Sequence, residues 1–366
     1  MTLPSIDRAD PTPRYLQAEQ ILLAAIQSGI LPAGSKIPAT PEIASLIKVS
    51  LITAHKALER LVQAGLLRRE VGRGTFVCED VDDALAAQKR LSIGLMLDDQ
   101  VNVNDYYHAS IIDGLRRASR SDDQRAEFFF KDCASLRRSK LKRTSGVICI
   151  HPSLELHDEI ARMAKTVPLV VLGGTLPGRE VPFVDCDNYA GSRLAIRHLH
   201  GLGHRRFAVL SGPMNLSNAR DRTEGALKEL AVCGVPIDDN PGIVFESKES
   251  VALDAQTQAR FVERLKRDDR PTAVLAGGFY LALSALQTAR QLGLRIPQEI
   301  SIVGFDDPPS APLLDPPLTT VRQPLQEMAE KAYFAIRRTV DRDDLAAPSL
   351  ELPTKLIIRG STAPFA

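Results

Sequence analysis

"LERLVQAGLLRREVGRGTFV", residues 58–77, sets four features in immediate succession: an apolar helical stripe, a glycine stop at Gly65, a short cationic strand and a Gly-Arg-Gly turn. Gly72 and Gly74 can adopt the positive φ of a tight hairpin tip, so "LLRREV" and "TFV" read as paired antiparallel strands. Upstream, Ala54, Ala57, Leu58 and Leu61 form the buried stripe of one helix, for which Ser50 is the cap. A turn at Lys48-Val49 separates it from a shorter helix carrying Ile43, Ala44 and Ile47, with Thr40 as N-cap and Pro41 at the first helical position. Before the break "LPAGSKIP", the residues Tyr15, Ala18, Leu22, Ala25 and Ile26 keep one helical face, and Gly29 ends it. Residues 1–77 therefore predict three helices and a wing.

Between Lys36 and Arg73 seven cations (Lys36, Lys48, Lys56, Arg60, Arg68, Arg69, Arg73) oppose three anions (Glu42, Glu59, Glu70), although the whole chain carries a net charge of only +1. Such a patch attracts phosphates irrespective of sequence, while bases are read by a helix set in the major groove and by the wing-tip arginine. The candidate DNA contacts are Lys36, Thr40, Lys48, Ser50, Thr53, His55, Lys56, Arg60, Arg73, Gly74 and Thr75. Neutral His55 can donate one hydrogen bond to a base or a phosphate, and is otherwise an ordinary surface residue. A hairpin that touches another protein instead of DNA is the competing reading.

The chain is 366 residues long, more than one core usually serves, with 44% hydrophobic and 25% charged residues, the composition of an ordinary globular protein. Five scattered cysteines without a Cys-x-x-Cys pair argue against zinc ribbons and disulfide scaffolds and fit a reducing cytoplasm. The N-terminus has acids and prolines where a signal peptide needs an apolar core, and no run approaches about 18 apolar residues, so no membrane association is expected.

Residues 78–90, "CEDVDDALAAQKR", read as a linker. Beyond it "LSIGLML", "EFFF", "GVICI", "PLVVL", "RFAVLSG", "TAVLA" and "ISIVGF" alternate with amphipathic helical stretches, the βαβ succession of an α/β fold with parallel sheets flanked by helices. The length of residues 91–366 suits two similar lobes and a cleft: lobe 1 about 91–187 and 322–342, lobe 2 about 188–321 and 343–362. Ligands in such folds bind beyond the carboxyl ends of the strands. Those ends supply Asp98, Asp99, Tyr106, Tyr107, Asp187, Asn188, Ser217, Arg220, Arg222, Asp306 and Asp307. Asp187 and Asn188 read as caps of a helix beginning at Tyr189, whereas Arg222 near a helix start opposes the dipole and is better explained by a ligand. Aromatic faces, an arginine and a carboxylate suit a ring bearing hydroxyls.

Residues 15–77 resemble the winged helix-turn-helix of GntR-type bacterial regulators through "LPAGSKIPATPEIA", "VSLITAHKALERLVQAGLL" and "GRGTFV". At the positions where that family places arginines the chain has Pro41, Leu51 and His55, so the docking geometry carries over without the family's base contacts. Residues 91–362 resemble the effector domain of LacI/GalR-type repressors, through "VDCDNYAGSRLAIRHLHGLGHRRFAVLSGP", "SNARDRTEGALKEL", "LGLRIPQEISIVGFDD" and "LLDPPLTTVRQPLQEMAEKA". The resemblance implies effector contacts from Tyr106, Tyr107, Arg222 and Asp306, and Ser217 and Phe279 join them as candidate effector-binding residues. The family's Asn-Asp pair is replaced by Gly278-Phe279, and its aspartate after "VVL" by Gly173-Gly174, which points to a larger or less polar effector, or to none.

The order of the two resemblances is that of arabinose-repressor-type regulators. It implies a homodimer on pseudo-palindromic double-stranded operator DNA, a small-molecule effector of carbohydrate type, and a repressor that uses no cofactor or metal. An enzyme fused to a DNA reader is the rival of another class, but no Gly-x-Ser-x-Gly elbow, phosphate loop or His-x-x-Glu spacing supports it.

Overall fold

The computed structural model describes residues 3–7, 10, 12–81, 91–97, 105–121, 126–131, 144–237, 243–249, 251–342 and 349–365. Contacts divide the chain into two units, one ending at Leu91 and the other beginning at Ser92.

The first unit holds α1 (Arg14–Gln27), α2 (Thr40–Ile47), α3 (Leu51–Gln63), β1 (Leu67–Glu70) and β2 (Gly74–Val77). Ser50 caps α3, its Oγ accepting from the Thr53 N–H at 3.2 Å, and the buried face is Ala54, Ala57, Leu58 and Leu61. The cap of α2 is Ala39 rather than Thr40. Glu42 reaches back to accept from the Ala39 N–H at 2.9 Å, which closes the first turn one residue earlier and leaves Thr40 as the first helical residue. Lys48 at φ 60 makes the left-handed turn between α2 and α3, and Gly29 and Gly65, both at positive φ, lie just beyond the ends of α1 and α3.

The wing pairs Leu67 with Val77 through to Glu70 with Gly74. The "LPAGSKIP" break contributes to it. Ile37 N–H donates to Thr75 O at 3.0 Å and Val77 N–H donates to Ser35 O at 2.9 Å, so residues 35–37 run along the outer edge of β2. The stretch read as a linker is also partly structural, because the Cys78 N–H donates to Leu66 O and Val81 is buried in the same core as Leu22, Ile43, Ile47 and Leu61. Residues 82–90 lie outside the described residues.

The second unit is built of two sheets. The first comprises β3 (Leu91–Met96), β4 (Ala126–Lys131), β5 (Gly146–Ile150), β6 (Leu169–Leu172), β7 (Phe183–Cys186) and β13 (Leu350–Leu352), in the order β13-β7-β6-β5-β3-β4. The second comprises β8 (Phe207–Ser211), β9 (Val244–Glu246), β10 (Ala273–Ala276), β11 (Ser301–Phe305), β12 (Thr319–Arg322) and β14 (Lys355–Ile357), in the order β14-β12-β11-β10-β8-β9. β5 pairs in parallel with β3 and β6, and β10 with β8 and β11, whereas β14 runs antiparallel to β12. β5, β6, β8, β10 and β11 are buried along their whole length, which is why each is an unbroken apolar run.

The helices are α4 (Tyr106–Ser121), α5 (His157–Met163), α6 (Asn188–Gly201), α7 (Ser217–Val232), α8 (Ala255–Leu265), α9 (Phe279–Gln291) and α10 (Leu325–Arg342). The α/β fold with parallel sheets flanked by helices is as the sequence predicts. One boundary differs. The chain crosses between lobes three times, after β7, after β12 and after β13, so Leu350–Leu352 lies in the first sheet alongside Val184–Cys186 and not in lobe 2. A three-residue strand followed by proline has too little periodicity to reveal which sheet takes it.

Candidate DNA-reading face and effector cleft

Several cations of the first unit are committed within it. Arg60 pairs with Glu19, which the local charge count had not included, and Arg68 pairs with Glu70. Arg73 lies 2.6 Å from the same Glu70 carboxylate, with a largely exposed side chain, and the Lys56 ammonium sits 3.8 Å over the Tyr15 ring. His55 lies 3.3 Å from Glu59. Ser50 and Thr53 share a hydroxyl bond of 2.7 Å, so both work first as the cap of α3. Exposed ion pairs contribute roughly 0–1 kcal/mol, so phosphates can displace them at little cost. Lys36 and Lys48 are exposed. Gly74 sits where an added Cβ would come within 2.7 Å of Lys36 Cε, and its φ of +121 favours glycine independently. Thr75 is half-buried and uses its carbonyl on Ile37.

In the second unit a cavity of about 720 Å³ lies between the carboxyl ends of the two sheets. Each lobe delivers a strained residue to it directly after a central strand: His151 at φ 46 after β5, and Asp306 at φ 71 after β11. His151 stacks on Tyr107 with ring centroids 4.2 Å apart and planes 17° apart. Burial, helped by His108 and Arg222, holds the His151 ring well below the usual histidine range, so it is neutral. Asp105 Oδ1 fixes Nδ1 of His108 at 2.8 Å. His108 Nε2 and the Tyr107 hydroxyl, both buried, find no hydrogen-bond partner among the described residues. Burial also pushes the Tyr107 phenol well above its ordinary value.

Arg222, 6% exposed, projects from α7 with its Nε donating to Asn188 Oδ1 at 2.8 Å and Nη1 donating to Gly277 O at 2.7 Å, its guanidinium 3.8 Å over the Phe305 ring. Asn188 in turn donates to Asp185 Oδ2 at 3.2 Å. Burial raises the Asp185 carboxyl to about 7, against the lowering effects of the Cys186 N–H and Arg222. Gln323, in the second crossing, donates to Asp306 Oδ1. Burial raises Asp306 too, with Arg222 and Gln323 opposing.

Tyr106, Tyr107, Arg222, Phe279 and Asp306 line the cleft as expected positions, joined by Tyr280, which meets Phe279 edge-on at 5.6 Å. Ser217 does not line it. Its Oγ accepts from the Thr175 N–H at 2.9 Å, so the first residue of α7 ties lobe 2 to the loop after β6 in lobe 1. Leu154 N–H donating to Asn215 O at 3.0 Å, and Asn218 Nδ2 3.3 Å from His151 Nε2, bridge the lobes in the same region.

The glycine in place of an aspartate after "VVL" has a steric reason. Gly173 has φ +75, and a Cβ there would stand 1.9 Å from the Tyr107 hydroxyl. Asp187 is the cap of α6, accepting from the Ala190 N–H at 2.7 Å, but Asn188 does more than begin the helix, since it orients Arg222. His108, His151, Asn218 and Gln323 were missed; His151 directly follows "GVICI", so the strand-end rule pointed to it. Asp98 and Asp99 lie outside the described residues.

The description of bacterial regulatory proteins of the gntR family matches residues 14–77, and that of a periplasmic binding protein-like domain matches residues 196–362. The two matches follow one another along the chain, a gntR-type segment first and a periplasmic-binding-protein-like segment second. The chain is 30% identical to the HTH-type transcriptional regulator DegA of Bacillus subtilis over 62% of its own length and 66% of that relative, just under two thirds. It is 29% identical to an arabinose metabolism transcriptional repressor of Geobacillus stearothermophilus over 96% of this chain and 98% of the relative. Among solved structures it is similar to a LacI family transcriptional regulator from Mycobacterium smegmatis, with a TM-score of 0.65 and 29% identity over 75% of this chain and 100% of the other.

Proposed function

We propose that this regulator is a ligand-responsive transcriptional repressor whose winged helix holds operator DNA and whose interlobe cleft takes a neutral, hydroxyl-bearing effector of carbohydrate type. One observation carries the effector reading. Tyr107 and His108 of lobe 1 line the cleft, and each keeps one buried polar atom, the Tyr107 hydroxyl and His108 Nε2, without a partner among the described residues, a need that the hydroxyls of a ring admitted by small side-chain shifts would meet. Aromatic faces from Tyr106, Phe279 and Tyr280 suit the CH faces of the same ring. Anionic ligands fit less well. Asp105, Glu155, Glu249 and Asp306 outnumber Arg222 and Lys248 around the cavity, and two of the Arg222 nitrogens already serve Asn188 and Gly277.

Tyr106, Tyr107, Arg222, Phe279 and Asp306 act as effector contacts, and Lys36, Lys48, His55, Lys56, Arg60 and Arg73 as DNA contacts. The repressor acts in the cytoplasm as a homodimer, performs no chemistry on its ligand, and responds through a change in cleft closure that alters the spacing of two readers. A relative that overlaps 96% of this chain is named for arabinose metabolism, which favours the carbohydrate class over nucleosides.

A thermal-shift screen of neutral sugars, sugar acids and nucleosides, followed by anisotropy of a labelled promoter fragment with each hit, tests the proposal. A neutral sugar should raise the melting temperature and change DNA affinity. Stabilisation by sugar acids alone, or a hit without effect on DNA affinity, would overturn it. A strictly monomeric sedimentation profile with DNA present would remove the dimer.

A further inference from the structure

We propose that the reading helix recognises thymine through its C5-methyl groups, using Leu51 and Ile52. The proposal rests on the reading of the chain as a DNA-binding regulator. Leu51 is 54% and Ile52 80% exposed, and they are the first two residues of α3, while the core-facing stripe is Ala54, Ala57, Leu58 and Leu61. In helix-turn-helix docking it is these N-terminal residues of the second helix that meet base edges in the major groove. Nothing intrinsic to the helix calls for two adjacent branched aliphatics at its solvated N-terminus. A helix start favours acids, and isoleucine gains nothing by facing water.

The polar groups nearby are already occupied. The Ser50 and Thr53 hydroxyls bond each other in the cap, and His55 sits 3.3 Å from Glu59. The surface α3 presents at its start is therefore apolar, with His55 and Lys56 one turn further on, at i+4 from Leu51 and Ile52. Lys48, exposed just before the helix, and Lys56, exposed and held over Tyr15, put positive charge near this apolar pair, as suits an anionic partner. Within a major groove the apolar feature on the base edges is the thymine methyl, since the other groups there are hydrogen-bond donors and acceptors. Apolar contact thus replaces the bidentate guanine contact that an arginine would make.

The test uses the full-length protein and a duplex enriched by it from a randomised pool. Each thymine of the enriched sequence is then replaced in turn by uracil, which keeps every hydrogen-bonding group and removes the methyl. At one or two positions the replacement should weaken binding about fourfold, the worth of one buried methyl-sized group. Ile52→Ala or Leu51→Ala should abolish the thymine-over-uracil preference at the matching position, and the thermal midpoint should hold because both side chains are largely in water. Equal affinity for thymine and uracil at every position, or a preference that persists in both variants, would overturn the inference and leave the regulator reading intact. Failure to enrich any duplex would overturn the regulator reading itself.

Discussion

Arg222 is held by its neighbours before any ligand arrives. Asn188 and the Gly277 carbonyl fix the guanidinium and Phe305 supports its face, so the remaining N–H groups are aimed without further ordering. Asn188→Ala should lower effector affinity by about tenfold or more, as expected when a buried charged donor loses its partner, and Arg222→Ala should lower it further. Titration calorimetry with the effector measures both; an unchanged affinity in Asn188→Ala would deny it the positioning role. Asp185 sits one bond behind. Its carboxyl titrates at about 7 when folded, above its ordinary 3.8, so the folded chain binds this proton more tightly than the unfolded chain. The group's contribution to stability is therefore complete below about pH 4 and is lost as pH rises towards 7. Thermal melts from pH 5 to pH 8 should show the wild type losing stability relative to Asp185→Asn; parallel profiles would contradict the assignment.

The elements of the reader were legible because their signals are local. Ser50, Gly29, Gly65 and the 3–4 spacing of Ala54, Ala57, Leu58 and Leu61 each act within one or two helical turns. Ser50→Ala should cost the first unit about 1 kcal/mol, the usual worth of a side-chain cap, read from its denaturation midpoint. No loss would mean that the Thr53 hydroxyl, 2.7 Å away, substitutes for it. What escaped the sequence reading depends on distant partners. Residues 35–37 look like a broken stretch until β2 lies beside them, and Thr40 looks like a cap until Glu42 is seen to serve Ala39. In the cleft, Tyr106, Arg222 and Asp306 could be placed from strand ends and family resemblance. Gln323 and His108 could not, because Gln323 meets Asp306 and His108 meets the His151 ring, 6.0 Å between centroids, only once separate elements are packed together.

At the scale of the whole second unit, the two lobes are already tied beside the cleft through Ser217 and Thr175, and through Asn215 and Leu154. Ser217→Ala should widen the distribution of interlobe separations, giving a larger radius of gyration by solution scattering and weaker effector binding. A variant with unchanged scattering and affinity would show that the bond does not govern closure.

Three crossings of the backbone also make the two lobes inseparable by heredity. Each lobe is assembled from noncontiguous stretches, and β13 alone returns late to the first sheet. No single exchange of coding sequence can replace one lobe and spare the other. The first unit, by contrast, is one uninterrupted stretch up to Leu91, so a single recombination event can exchange it and leave both lobes intact.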